Sequence, residues 1–309
     1  MLNYFNWYFK NFRFLRFRLK LVDRYTARKV DWINKQTKLG AEYRGDTLSV
    51  IRKYAHMLDK GLQNEKREKG RSKEIYAKTK MLFNEFESNS GLRNEPDLCW
   101  AKDIINKYER FQYEEVESEE LKSFFDPKYI KPEISFLDLE NLIKTRRTIR
   151  YFEDKHVDDD ILEKIFELVN WAPHSCNRQN VRIYYTTDKK LIKKFLPLNS
   201  GATGMNEPAV FASICCNTES YYYPLEYNVA YIDASLGAQN IILGAHAFGL
   251  GCCVLNWSHA SVNEEIELRR KLSIQETDLV IFNLVMGYPK KGAPTPIKKT
   301  NNRTIMKVT

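Results

Sequence analysis

The sequence predicts an α+β fold, a sheet flanked by helices and preceded by a helical extension. Three observations carry this. Residues 45–115 are polar and rich in helix formers; residues 114–135 read as an acidic, proline-punctuated linker; and from 136 onward short apolar runs alternate with helical ones. At 309 residues the chain can bury a sizeable core, as one large domain or two modest ones.

Charge is distributed unevenly. Residues 1–40 hold ten Lys/Arg against Asp23 and Asp31, which is +8 of the chain's net +9. A catalytic domain carrying a basic arm fits this better than a basic domain. Within residues 1–35, Tyr4, Phe5, Trp7, Tyr8, Phe9, Phe12, Phe14 and Phe17 interleave with Lys10, Arg13, Arg16, Arg18 and Lys20. An aromatic, basic helix suits a membrane interface, with rings at the headgroup boundary and cations toward anionic lipid. It suits equally a helix packed on its own protein or on a partner, because the aromatics spread around the helix instead of forming one stripe. Nucleic-acid binding ranks behind both, since no RNP, zinc-finger or helix-turn-helix signature accompanies the charge. The expectation is a cytoplasmic protein with a peripheral contact at the inner membrane face through residues 1–35 and no nucleic-acid partner. No apolar run approaches the roughly 20 residues that span a bilayer, and the same cations interrupt any signal-peptide core.

In the extension, helical character breaks near Gly70-Arg71-Ser72 and around Ser88–Pro96. Arg52, His56 and Lys60 share one helical face, which is either a solvated face or an anion cradle. The stretch Glu114–Glu120, then Asp126-Pro127 and Lys131-Pro132, sets a boundary near 135, giving a helical extension (1–135) and a second domain (136–309). In that domain helices are expected at about 137–145, 159–171, 188–196, 225–248 and 262–272, the last opened by Ser261 and Glu264 at capping-box spacing. Strands are expected at Arg182–Thr187, Ala209–Cys216, Cys252–Trp257 and Leu279–Gly287. Small residues along the longest helix (Ala230, Ala234, Gly237, Ala238, Gly244, Ala245) permit close approach and place it centrally, at a subunit interface.

Of the six cysteines, Cys215-Cys216 and Cys252-Cys253 form vicinal pairs in apolar runs, where a cysteine is a small buried hydrophobe. No CxxC and no His/Cys metal spacing occurs, so a reduced protein without structural metal is expected.

Four segments carry chemistry. Thr145-Arg146-Arg147-Thr148-Ile149-Arg150 sets three guanidiniums beside a hydroxyl, which suits a phosphate, or a solvated basic patch. Ala172 to Gln179 offers a hydroxyl (Ser175), carboxamides (Asn177, Gln179) and a guanidinium on one irregular loop. Carboxamides donate and accept together and so match a ring edge that does the same. His174 and Cys176 lack an orienting third group, which weighs against a Cys/His nucleophile. Gly249-Leu250-Gly251 turns sharply out of the long helix into Cys252–Trp257, without the dinucleotide fingerprint. Last comes Met286-Gly287-Tyr288-Pro289, followed by Lys298 and Lys299.

Together these segments resemble the nitroreductase-like family of FMN-dependent oxidoreductases. The family's pattern is an Arg-Arg-Ser-Val-Arg-like opening, a Pro-Ser-x-x-Asn-x-Gln-Pro loop, an Asp-x-x-x-Ala-x-x-Asn long helix, a Gly-Leu-Gly turn and a late Gly-Tyr-Pro. Here stand Arg146–Arg150, Pro173–Asn180, Asp233 through Ala238 to Asn240, Gly249–Gly251 and Gly287–Pro289, in the same order, within residues 137–309. Asn180 stands where proline is usual, Asn256-Trp257 where a Gly pair or Glu-Gly is usual, and Lys298-Lys299-Thr300 where an arginine is usual. Bulky Trp257 narrows the substrate side of the ring.

The resemblance implies a nitroreductase-like fold with a mostly antiparallel central sheet, and a homodimer with FMN at each end of the interface. Arg146, Arg147, Thr148 and Arg150, completed by Lys298 or Lys299, would hold the phosphate and ribityl chain. Pro173, Ser175, Asn177 and Gln179 would line the isoalloxazine of the partner subunit's flavin. Val254, Leu255, Asn256 and Trp257 would lie along its other edge, with the Asn256 amide near N5. Hydride would pass from NADH or NADPH through FMN to a small organic acceptor, with no side chain assigned as general acid. An empty site would leave three buried guanidiniums unpaired. The extension, with His56-x-x-x-Lys60-Gly61-Leu62, resembles a subgroup associated with surface-polysaccharide biosynthesis. The rival readings are flavin itself as substrate, and a non-catalytic flavin-fold scaffold docked through the basic arm.

Overall fold

The computed structural model of the chain describes residues 46–88, 91–113, 123–125, 127–221, 226, 228–257 and 261–308. The aromatic, basic arm and the Glu114–Glu120 stretch lie outside the described residues. The chain divides into two compact units. The first takes the chain up to Phe125 together with Ser175–Arg178 and Thr218–Tyr231; the second takes Asp126–His174, Gln179–Asn217 and Ile232–Thr309. Relative to a boundary near 135, the division falls ten residues earlier and transfers two short segments of the second half to the first unit.

Among the described residues, the first unit is built on the helices α1 (Thr47–Leu62), α2 (Lys73–Glu87) and α3 (Pro96–Tyr113). The breaks are where Gly70–Ser72 and Ser88–Pro96 put them. Ser72 adopts left-handed geometry (φ 60°) just before α2, and proline opens α3, where its missing N–H is harmless. Asp46 caps α1 by accepting from the Leu48 amide at 3.3 Å. Val50, Ile51, Ala55, Leu58 and Leu62 on α1 and Leu98, Ala101, Ile104, Ile105 and Tyr108 on α3 recur at helical spacing and are buried. Val50, Ile51, Ala55, Leu98, Ala101 and Ile105 meet Leu82, Phe83 and Phe86 of α2 in one apolar cluster, and Leu58, Leu62, Ile104 and Tyr108 join Phe111 and Phe125 in a second.

The second unit begins with α4 (Phe136–Thr145) and α5 (Asp159–Glu167), the latter continued by a 3₁₀ turn at Leu168–Trp171. Then come β1 (Val181–Thr186), α6 (Lys189–Phe195), β2 (Val210–Asn217), α7 (Val229–Ala247), β3 (Gly251–Leu255), α8 (Val262–Leu272) and β4 (Asp278–Gly287). The four strands form one sheet in the order β1-β2-β4-β3 with every pair antiparallel. Each strand lies within two residues of its expected bounds, and the Ser261–Glu264 capping box forms at α8.

Strand β2 is buried along its whole length, as a central strand must be, and Cys215, Cys216, Cys252 and Cys253 are all buried. Burial above all pushes the Cys252 thiol up to about 12, against the charge of Arg146, which makes it packing material and not a nucleophile. Helix α7 is 19 residues long, shorter than the run 225–248. Part of its small-residue pattern is used within the unit. A Cβ at Gly237 would meet Val169 at 2.6 Å and one at Gly244 would meet Leu168 at 2.4 Å, so these glycines admit the 3₁₀ turn. Ile232 (55% exposed) and Leu236 (43%), one turn apart on α7, remain exposed. Among the described residues no helix is long and apolar enough to cross a membrane.

Candidate functional site: an arginine segment on a sheet edge

Strand β3 lies at one edge of the sheet, and the arginine segment is laid along it. Thr148 bridges Cys252 in parallel sense, and the Ile149 amide donates to the Cys252 carbonyl at 3.0 Å. Further on, the Glu153 amide donates to Tyr288 O at 2.8 Å and the Lys290 amide to Tyr151 O at 2.9 Å. The arginines are therefore placed by main-chain pairing next to the Gly249–Gly251 turn. Gly251 is required there, because a Cβ would lie 2.4 Å from Ile149 Cγ1 and 2.6 Å from its Cβ. Gly249 is required for a different reason, its φ of +76°.

The guanidiniums are less enclosed than expected. Arg150 is exposed, and Arg146 and Arg147 are only half-buried, so the cost of three unpaired buried cations does not arise. Arg147 Nη1 donates to the carbonyls of Lys144 (2.5 Å) and Arg146 (2.7 Å), and its Nη2 to Thr295 Oγ1 at 2.6 Å. The Thr295 contact brings the C-terminal tail to the cluster; Lys298 and Lys299, a few residues on, are exposed.

Sequence reasoning passed over His246, in the last turn of α7. Its Nε2 lies 3.0 Å from Thr145 Oγ1. Burial, and then the charges of Arg146 and Arg147, hold its imidazole below the usual range. Its position three residues before Gly249 was the available signal. Two half-buried guanidiniums, a threonine hydroxyl and this histidine form a donor set with the chemistry of a phosphate site, which fits the phosphate of FMN.

Along β3, Leu255 is buried and Val254 is 50% exposed. Cys252 turns its carbonyl to the outer edge, where Ile149 meets it. Main-chain groups two residues apart on a strand face the same way, so Val254 also presents its N–H to that edge. The Asn256 amide, expected as the open donor toward N5, has a protein partner: it donates to Ser200 O at 3.3 Å, and the Ser200 amide returns a bond to Asn256 O at 2.8 Å. Trp257 packs against the core cluster of this unit. Its indole Nε1 is buried without a hydrogen-bond partner among the described residues.

The Pro173–Gln179 loop is divided. Pro173 and Gln179 belong to the second unit, and Ser175–Arg178 to the first. Cys176 (φ 51°), Asn177 (φ 50°) and Gln179 (φ 49°) all lie in the left-handed region, a concentration of strain that only firm tertiary support maintains. That support is visible in the first unit. Arg178 is fully buried, pairs with Glu226 at 2.7 Å and lies over the Tyr221 ring at 5.1 Å. Arg52 of α1 donates through Nε to the Asn177 carbonyl at 2.6 Å and through Nη1 to Asp97 at 2.9 Å. The face Arg52–His56–Lys60 is thus no open anion cradle, since its first member is bound to protein. Asn180, in the place of the usual proline, accepts the Asn217 amide at 3.0 Å and so closes the end of the β1–β2 pair. A cavity of about 670 Å³ in the second unit, lined by Glu153–His156, Lys189 and Met205–Ala209, contains none of the candidate residues.

Comparison with known proteins agrees with this geometry. The sequence profile of the Nitroreductase family matches residues 143–209 and 200–288. A protein of Archaeoglobus fulgidus described as an NADH dehydrogenase/NAD(P)H nitroreductase is 30% identical over 152 residues, covering 48% of this chain and 84% of its own. The chain belongs to the nitroreductase family. An FMN reductase [NAD(P)H] of Bacillus subtilis is 27% identical over 158 residues, 46% of this chain and 62% of its own. The solved structure of NfrA1 from B. megaterium superimposes with a TM-score of 0.50 at 22% identity, covering 56% of this chain and 74% of that one, and shares the fold. The nitroreductase match begins at 143 and ends at 288. It therefore takes in the arginine segment, the strained loop and β3, and leaves the helical extension, Lys298 and Lys299 outside it.

Proposed function

We propose that this nitroreductase-family chain is an FMN-dependent oxidoreductase acting as a homodimer. The observation that carries the reading is the main-chain pairing of Thr148 and Ile149 with Cys252, which fixes the arginine segment beside the Gly249–Gly251 turn. When bound, FMN supplies hydride transfer from NADH or NADPH to a small organic acceptor. Arg146, Arg147, Thr148 and Arg150, with Lys298 or Lys299 from the tail, bind its phosphate and ribityl chain by charge-assisted hydrogen bonds. Val254, Leu255, Asn256 and Trp257 line one ring edge, and Trp257 limits the size of an acceptor. Pro173 lines the ring of the partner subunit's flavin, and Ser175, Asn177 and Gln179 orient it through hydroxyl and carboxamide groups. The apolar side chains left exposed on α7 support a dimer, since Ile232 and Leu236, one turn apart, are open on a single chain. A role in surface-polysaccharide metabolism belongs to the same reading and rests on the extension alone.

The name of the B. subtilis relative favours a second reading, in which free flavin is the acceptor. The near-ultraviolet and visible spectrum of the purified protein, taken before and after anaerobic NADPH or NADH, tests both. Flavin bands that bleach support a nicotinamide-dependent flavoenzyme, and free FMN reduced in stoichiometric excess over protein selects the second reading. Absence of flavin bands after incubation with FMN overturns both. The double variant Arg146→Ala/Arg147→Ala should weaken FMN binding by about a hundredfold, taking about tenfold for each charged hydrogen-bond donor, as read by flavin fluorescence titration.

A further inference from the structure

We infer that Arg52, on the helical extension, is a positioning residue that holds the loop Ser175–Asn177 in its strained, flavin-facing conformation. The inference rests on the flavoprotein reading and extends it, because it gives the extension a role at the ring site. All the groups concerned lie in the first unit. Arg52 uses one edge of its guanidinium for the Asn177 carbonyl at 2.6 Å and another for Asp97 at 2.9 Å. Its flat face lies 4.9 Å from the centre of the Trp100 ring. The carboxylate and the indole of α3 thus fix the guanidinium, and the guanidinium fixes the loop. A planar fork with rigidly spaced donors does this; a lysine ammonium is a single point of charge and does not.

The grip has a purpose that packing alone does not require. Cys176 and Asn177 both occupy left-handed backbone, and residues other than glycine leave that region when nothing opposes them. A second anchor, Arg178 on Glu226, lies at the next residue. Between the two anchors the Asn177 carbonyl is turned toward Arg52, and this turn sets the direction of the carboxamide assigned to the ring edge. Lys53, the next residue on α1, sits in the same cluster. Burial, and then the Arg178 charge, hold its ammonium below the usual range, while Glu226 and Cys176 oppose the shift. The loop is therefore gripped from α1 by Arg52, a device lying in a part of the chain outside the nitroreductase match.

Cys176 supplies a readout independent of catalysis. Its thiol lies on the strained loop and is half-buried; Cys99 is exposed and the remaining four cysteines are buried. In a Cys99→Ser background, the rate of Cys176 alkylation reports opening of the loop. Loss of a hydrogen bond from a charged donor corresponds to a factor of about ten or more. Arg52→Ala should therefore speed alkylation about tenfold and raise the dissociation constant for FMN by a similar factor, with Arg52→Lys between it and the parent. Leu82→Ala, which empties part of the same unit's core without touching the loop, is the control for simple destabilisation. It should unfold the unit more readily yet leave both readouts near the parent well below the unfolding transition.

Alkylation unchanged by Arg52→Ala overturns the grip whatever the flavin does. Faster alkylation with unchanged FMN affinity overturns the positioning role. Equal effects from Leu82→Ala reduce Arg52 to a packing residue and overturn it as well. A parent protein that binds no FMN at all removes the flavoprotein reading and this inference with it, an outcome distinguished from the others by the parent titration alone.

Discussion

The arginine segment and the Ser175–Arg178 loop are both assigned to the flavin, and they are held by different means. Ile149 and Glu153 are fixed through main-chain hydrogen bonds to Cys252 and Tyr288, so the segment is in effect an added piece of sheet whose side chains are left over for a ligand. Ser175–Arg178 has no ladder. It is held by side chains, with Arg178 on Glu226 and Arg52 on the Asn177 carbonyl, and it carries backbone strain that the sheet-bound segment does not. A backbone-held site tolerates changes to its functional side chains and fails when backbone approach is blocked. A side-chain-held site fails when one partner of a buried pair is lost.

The largest effect should follow from breaking the loop's anchor. Glu226→Gln removes a carboxylate paired with the fully buried Arg178 side chain and should lower stability by about 3–5 kcal/mol in denaturant unfolding. A loss below about 1 kcal/mol, the range of surface pairs, would break the comparison. On the other side, Gly251→Ala drives a methyl into Ile149 and should cost about 1–3 kcal/mol, the usual cost of overpacking. Two residues away, Gly249→Ala meets no atom within 4 Å and bears only the strain of φ +76°. It should lower thermal stability by about 1 kcal/mol, and an effect equal to that of Gly251→Ala would show that conformation, not close approach, governs the turn. The smallest change is expected at the Lys80–Glu109 pair, whose side chains are 46% and 32% exposed. Lys80→Ala should shift stability by at most about 1 kcal/mol, the baseline against which the buried Arg178–Glu226 pair is judged.

Much of the fold was legible because it follows from local chemistry. The apolar runs that became β1 to β4, the Ser261–Glu264 capping box, and the helix breaks at Gly70–Ser72 and before Pro96 each depend on residues within a few positions of one another. Helix α7 is observed from Val229 to Ala247, and composition does not show where the first helical hydrogen bond forms. Arg146–Arg150 and Gly249–Gly251 could each be recognised, but their adjacency comes from a bridge across about a hundred residues of chain. His246 was missed since a lone histidine near a helix end has no pattern until Thr145 and the arginines are set beside it.

By itself the sequence determined which residue types were available, where the strands fall to within two residues, and which stretches were rich in phosphate-binding donors. Tertiary structure alone decided how those donors are used. Arg52, read as part of a solvated face or an anion cradle, is bound to a carbonyl 125 positions away; the Asn256 amide is occupied by Ser200; and the arginines expected to be buried are half-buried or fully exposed. The reason is physical. Secondary-structure preference acts over a few residues of chain, whereas a donor's partner and its access to water depend on which distant segments the packing of the core brings together.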